Sequence, residues 1–186
     1  MSSPPEFSPD QRQTLLRIAH ESILSAFTNR LAPLQPLASL SEPRGVFTTL
    51  YLHGNLRGCV GYALPIVPLY QAVGETARAA AFDDSRFNPV TMQEATELEV
   101  SLSVLSRVSP IQPEQVEVGL HGLVVSLGMH RGLLLPQVPL ECGWDRETFL
   151  GQTCRKAGLP SDAWRNGAIL EAFTAEIFGD NGIRSW

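Results

Sequence analysis

Residues 45–62 read GVFTTLYLHGNLRGCVGY, two β-rich runs meeting at His53-Gly54-Asn55, and an alanine-dense run, Leu69–Phe82, follows them. β-Branched and aromatic residues mark Gly45–Leu52 and Leu56–Tyr62 as strands, and the glycine between them supplies a hairpin turn. Pro65 and Pro68 end the extended run, after which Ala72, Ala77, Ala79, Ala80 and Ala81 give a helix a thin face suited to close packing on a sheet. A hairpin carrying a helix points to α+β rather than to a doubly wound parallel sheet.

The same grammar extends outward in both directions. Ser8, Pro9 and Gln11 spell a helix start with a capping box, and Leu15, Ile18, Ala19, Ile23, Ala26 and Phe27 then recur at spacings of three and four. Leu31–Pro43 is a proline-broken connector. Downstream, Asp83–Pro89 reads as a charged, solvated loop, and Thr91 with Glu94 caps a short helix. Leu98, Val100, Leu102 and Val104 alternate with Glu97, Glu99, Ser101 and Ser103, the pattern of a half-buried strand with a polar face.

The second half repeats the theme of hairpin then helix. His121–Leu127 and Arg131–Leu135 flank a turn at Gly128-Met129-His130, and the stretch Gly132–Val138 reads as an apolar strand ending abruptly at Pro136. Asp145 with Thr148 opens a helix that runs to Lys156 and stops at Gly158 and Pro160. Ile169–Phe178 is the expected last strand. These elements predict an antiparallel, sheet-rich core flanked by helices, in two packed lobes.

Composition narrows the function. With 44% apolar and 18% charged residues the chain can build a core without staples, and no run of about 18 apolar residues suggests a membrane span. The start MSSPPEFSPD lacks the basic and apolar regions of a secretory signal, so a cytoplasmic location is expected. The formal charge is -5 and Lys156 is the sole lysine. Nucleic acid is therefore not an expected partner, and Schiff-base chemistry has few candidates. The P-loop, dinucleotide-turn, nucleophile-elbow and zinc-helix motifs are all missing. Cys59, Cys142 and Cys154 form neither a disulfide framework nor paired zinc ligands, so no metal or cofactor is expected.

The chemistry concentrates in Leu56-Arg57-Gly58-Cys59-Val60-Gly61. A period of two places Arg57 and Cys59 on one face and Leu56, Gly58 and Val60 on the other. Arg57 beside the thiol favours a thiolate, whereas apolar burial opposes it, so Cys59 reads either as a pocket thiol or as a core cysteine. His121 as base and Glu141 as its orienting carboxylate would complete a nucleophilic set, although each also reads as a local structural group. Arg86, next to Phe87, can hold a carboxylate or phosphate, or brace its loop to the sheet. Gln137 is the polar side chain of its apolar run that can face a cleft. Gly58 and Gly61 mark close backbone approach.

Three segments together, Leu56-Arg57-Gly58-Cys59-Val60-Gly61, Ala81-Phe82-x-Asp84-x-Arg86-Phe87 and Leu133-Leu134-Leu135-Pro136-Gln137-Val138, resemble the AMME chromosomal-region domain family. The likeness continues through Trp144, Phe149, Leu150, Cys154, Lys156-Ala157-Gly158-Leu159 and Trp164, with Val60 in place of the commoner isoleucine. The resemblance implies a single domain over residues 10–178, with tails at 1–9 and 179–186, and an α+β fold of two closely packed subdomains with a pocket between them. Microbial members resemble component A of a system that also holds a Memo-like protein and a radical S-adenosylmethionine enzyme, which are the partners it implies. Arg57, Cys59, Arg86, Gln137 and Trp144 match the family motifs, and no catalytic role comes with them. Two functions follow as expectations: a cysteine-containing pocket that processes or binds a small molecule or peptide, or a non-enzymatic adaptor or ligand-binding component of a modification pathway.

Overall fold

The computed structural model describes residues 6–28 and 38–180, so most of the expected connector Leu31–Pro43 lies outside the described residues. The chain divides into two compact units, one running through Leu105 and resuming at Glu176, the other spanning Ser106–Ala175.

In the first unit, α1 (Pro9–Thr28) begins as its sequence requires: Gln11 N–H donates to Ser8 Oγ at 3.3 Å and Ser8 N–H to Gln11 Oε1 at 2.9 Å. Its stripe buries Leu15, Ile18, Ala19 and Ile23, but Ala26 and Phe27 are exposed, with the Phe27 ring edge-on to Phe82 at 5.7 Å. Strands β1 (Val46–Leu52) and β2 (Asn55–Tyr62) form the hairpin, and the turn is tighter than expected. His53 and Gly54 alone make it, at φ of 50° and 80°, the pair of positive values that a two-residue turn matching strand twist demands. The helix α2 (Leu69–Phe82), the short α3 (Met92–Ala95) and β3 (Leu98–Leu105) follow. Thr91 and Glu94 make the expected reciprocal cap on α3.

The sheet order is β2-β1-β3-β8, with β8 being Ala175–Gly179. β1 pairs antiparallel with both β2 and β3. One face, with Val46, Leu50, Val100, Leu102 and Val104, packs on Leu15, Ile23, Leu69, Val73 and Ala77 of the two helices. Across that contact Thr48 and Thr76 share a buried hydroxyl bond of 2.8 Å, and Ser22 Oγ donates to Gly74 O at 2.8 Å. The other face is polar as predicted, yet it is not all solvent-facing. Thr49 and Ser101, register partners on β1 and β3, are buried at 1% and 3% exposure.

The second unit carries β4 (Ser109–Pro110), β5 (Gly122–Leu127), β6 (His130–Leu134), α4 (Gln137–Cys142), α5 (Arg146–Lys156) and β7 (Ile169–Phe173), with sheet order β4-β7-β5-β6 and antiparallel pairing throughout. Leu123, Val125, Phe149, Leu150 and Cys154 form its core. Gly132 lets β6 approach α5 so closely that a Cβ there would sit 2.3 Å from Ala157 N. The apolar run after Gly132 ends as a strand at Leu134, just short of Pro136, where the backbone turns helical and Gln137 opens α4. One expectation needs correction. The expected last strand is two strands in different sheets, broken at Thr174, where both backbone groups turn to Ser106.

Candidate functional site

The motif around Cys59 lies on β2, an edge strand of the first sheet. Between Leu50 and Tyr51 the pairing slips: Leu50 faces Gly58 and Tyr51 faces Leu56, leaving Arg57 as the extra residue of a β-bulge. The expected alternation therefore breaks at Arg57. Its guanidinium turns to α3, with Nε donating to Glu94 Oε1 at 3.0 Å and Nη2 to Glu94 Oε2 at 3.2 Å, and Nη2 also reaches Pro89 O at 3.4 Å. Arg57 consequently pairs with a carboxylate rather than with the thiol. Arg57 Nη1 is buried without a hydrogen-bond partner among the described residues. This fork, together with the Thr91 backbone, holds the Glu94 carboxyl down to about 2.

Cys59 stands opposite Thr49, whose hydroxyl donates to Sγ at 3.3 Å. Cys59, Thr49 and Ser101 form one cross-strand row on the face away from α1 and α2. The Cys59 N–H points off the sheet edge and donates to Asp84 Oδ2 at 2.9 Å, and its carbonyl accepts from Arg86 Nη2 at 3.4 Å. Arg86 in turn forks onto Asp84, with Nε–Oδ1 at 3.0 Å and Nη2–Oδ2 at 2.7 Å, while its backbone N–H donates to Oδ1 at 3.1 Å. An edge strand's open backbone invites pairing with other chains, and here two side chains of one loop occupy it. Arg86 is the chief cause that lowers the Asp84 carboxyl far below its ordinary range, with the Cys59 and Arg86 backbone N–H groups adding to it. Asp84 thus departs from the expected solvated loop, its side chain being 6% exposed, while that of Arg86 is 56% exposed. Phe87 joins the two motifs: the guanidinium carbons of Arg57 and Arg86 lie 6.0 and 5.5 Å from its ring centre.

The remaining predicted residues belong to the second unit. His121 closes a turn before β5, its N–H donating to Glu117 O and its Nδ1 accepting from Glu117 N, both at 3.0 Å. Glu141 is exposed on α4, one residue before the exposed Cys142, and Gln137 is half-buried at the start of the same helix. Among the described residues no hydrogen bond joins Cys59, His121 and Glu141, and no group of three or more histidine, cysteine, aspartate or glutamate side chains is placed to hold a metal ion. Sequence reasoning missed Thr49 and Glu94 as partners of the site. The hairpin register contained the signal for Thr49, and Glu94 was read only as a helix cap.

Fold and site define an α+β protein of two antiparallel-sheet units whose edge-strand cysteine is clasped by an Asp-x-Arg loop. The AMMECR1 family model matches residues 16–178, and the chain belongs to that family. A protein of Methanothermobacter thermautotrophicus is 42% identical over 186 residues, covering 94% of this chain and 97% of its own. Protein TK0174 of Thermococcus kodakarensis is 48% identical over 151 residues, or 75% of this chain and 74% of that one. The crystal structure of the uncharacterized protein PH0010 from Pyrococcus horikoshii is similar at a TM-score of 0.68 and 41% identity, covering 92% of each chain. No helix among the described residues is long and apolar enough to cross a membrane.

Proposed function

We propose that the chain is a ligand-binding protein that takes a small molecule or peptide through an anionic group at the Cys59 edge. The observation that carries this reading is the orientation of the Asp84–Arg86 pair. Its carboxylate is buried and its guanidinium is half exposed, so the pair presents its positive end to solvent beside Cys59. Arg57 Nη1 adds a buried donor with no hydrogen-bond partner among the described residues, and Phe87 offers an aromatic surface between the two arginines. Binding is favoured over covalent turnover because the Cys59 thiol receives a hydroxyl from Thr49 and no base among its described partners.

Parallel alkylation with iodoacetate and iodoacetamide tests the reading, since the reagents differ mainly in charge. The rate ratio of iodoacetate to iodoacetamide at Cys59 should exceed that at the exposed Cys142 several-fold, and Arg86→Gln should bring the two ratios together. Equal ratios in the unmodified protein refute an anion-directing role for Arg86. A loss of Cys59 reactivity in His121→Gln would restore the nucleophile and base pairing in place of simple binding.

A further inference from the structure

The second unit holds a cleft of about 440 Å³ between β4, the turn Pro113–Gln115, His121 and the end of β7. That volume falls within the range of about 300 to 1,000 Å³ typical of small-molecule sites. Its apolar lining is Pro110, Ile111, Ala172 and Phe173, of which Ala172 and Phe173 are buried, and its polar groups are Ser106, Ser109, Gln115, His121 and Thr174. None of these lining side chains is an aspartate, glutamate, lysine or arginine, in a chain that is 18% charged.

Internal bonds account for part of this polarity. Ser106 Oγ accepts from Thr174 N at 2.9 Å and donates to Arg107 O at 3.0 Å. Gln115 Oε1 accepts from Gln112 N at 3.0 Å, and His121 Nδ1 accepts from Glu117 N at 3.0 Å. The last bond assigns the neutral ring its tautomer, with the proton on Nε2. Left over at the cleft, among the described residues, are the His121 Nε2–H, the Gln115 amide NH₂ and the hydroxyls of Ser109 and Thr174. Internal contacts also brace the frame. His121 is held at both its backbone N–H and its ring, and the Phe173 ring lies over Gly122, where a Cβ would meet it at 2.2 Å.

We propose that this cleft is a second binding site, separate from the Cys59 edge, for a planar uncharged ligand of the carboxamide or ureide class. Such a ligand accepts at its carbonyl from His121 Nε2–H or the Gln115 amide and donates its own N–H groups to the hydroxyls of Ser109 and Thr174. Its ring or methylene body lies on Ile111 and Phe173. A charged ligand of the same shape would surrender hydration and find no countercharge on the lining.

Benzamide and benzoate share shape and differ in charge, which makes them the probes. With the full-length protein carrying ¹³C-labelled histidine and ¹⁵N-labelled backbone, benzamide should shift the His121 ring and Gly122 amide resonances saturably, and benzoate should bind more weakly. His121→Phe should weaken benzamide about tenfold, the worth of one lost hydrogen bond. His53→Gln, at a hairpin turn in the first unit, should leave binding unchanged. The unmoved backbone spectrum of His121→Phe away from the cleft shows that the variant is folded, and Gln115→Ala provides a second weakening should it not be. Benzoate binding as tightly as benzamide, shifts mapping elsewhere, or no saturation by either probe at millimolar concentration would each overturn the proposal. None of these results bears on the alkylation ratios at Cys59, so the two readings fail independently.

Discussion

Replacing Gly58 by alanine sets a methyl group against the backbone of α2. A Cβ at Gly58 would lie 2.1 Å from Ala80 O and 3.0 Å from Ala80 C, where ordinary contact begins at 3.4 Å. That carbonyl belongs to a helix and cannot rotate aside as a side chain can, so β2 or the last turns of α2 must move by roughly 1 Å. Overpacking of this kind costs about 1 to 3 kcal/mol, and the restriction of the unfolded chain by alanine returns about 0.4 to 1 kcal/mol. Because the obstacle is backbone, the cost belongs at the upper end, and a net loss of about 2 kcal/mol is expected. Urea unfolding followed by far-ultraviolet circular dichroism reads it as a lower midpoint at unchanged slope. Gly151→Ala is the matched control, since that glycine lies within α5 and its Cβ would come no nearer than 3.3 Å to Ser161 O. A helix-propensity gain near 1 kcal/mol offsets the slight push there, so stability should stay within about 1 kcal/mol of the wild type. Equal midpoints for Gly58→Ala and the wild type would refute the close approach of β2 to α2. Equal losses in the two variants would trace the effect to glycine replacement in general.

Three further outcomes are expected. Glu94 is held at about 2 against an ordinary value of 4.5, so its contribution to stability is complete above that ordinary value and is lost as pH falls toward 2. Acid unfolding curves of Glu94→Gln and Arg57→Gln should be flatter than the wild type across that window, and parallel curves would refute the coupling. Asp84→Ala strands the Cys59 N–H and should cost about 1 to 3 kcal/mol in urea, whereas Asp84→Asn keeps an acceptor for that N–H and should cost less. Equal losses would mean that the backbone clasp contributes nothing. Intact-mass and peptide mapping of thiol alkylation should find Cys142 labelled first, Cys59 more slowly and Cys154 only on unfolding. Cys154 is fully buried, and desolvation pushes its thiol up, so labelling of native Cys154 at the Cys142 rate would contradict the core of the second unit.

Local sequence determined the elements whose causes are local. The Ser8–Gln11 and Thr91–Glu94 caps, the full extent of α2, the start of α5 at Asp145 and the alternation through β3 each follow from side chains within a few residues of one another, and the structure contains them all. The close packing marked by Gly58 was legible too, because a missing side chain in a strand has few other uses. Tertiary structure alone decided what those elements meet. The bulge at Arg57 depends on the register between β1 and β2 and turned Arg57 toward Glu94, a pairing across 37 residues. Asp84 looked solvated in sequence because nothing near it in the chain shows that an edge-strand N–H needs an acceptor. The run Ile169–Phe178 carries a continuous β pattern, yet Thr174 divides it between two sheets because Ser106 captures both its backbone groups from 68 residues away. Periodicity records which side of a residue is buried, and pairing with distant chain decides against what. That is why the sequence could group Arg57 with Cys59 and only the fold decided that Glu94 meets the one and Asp84 the other.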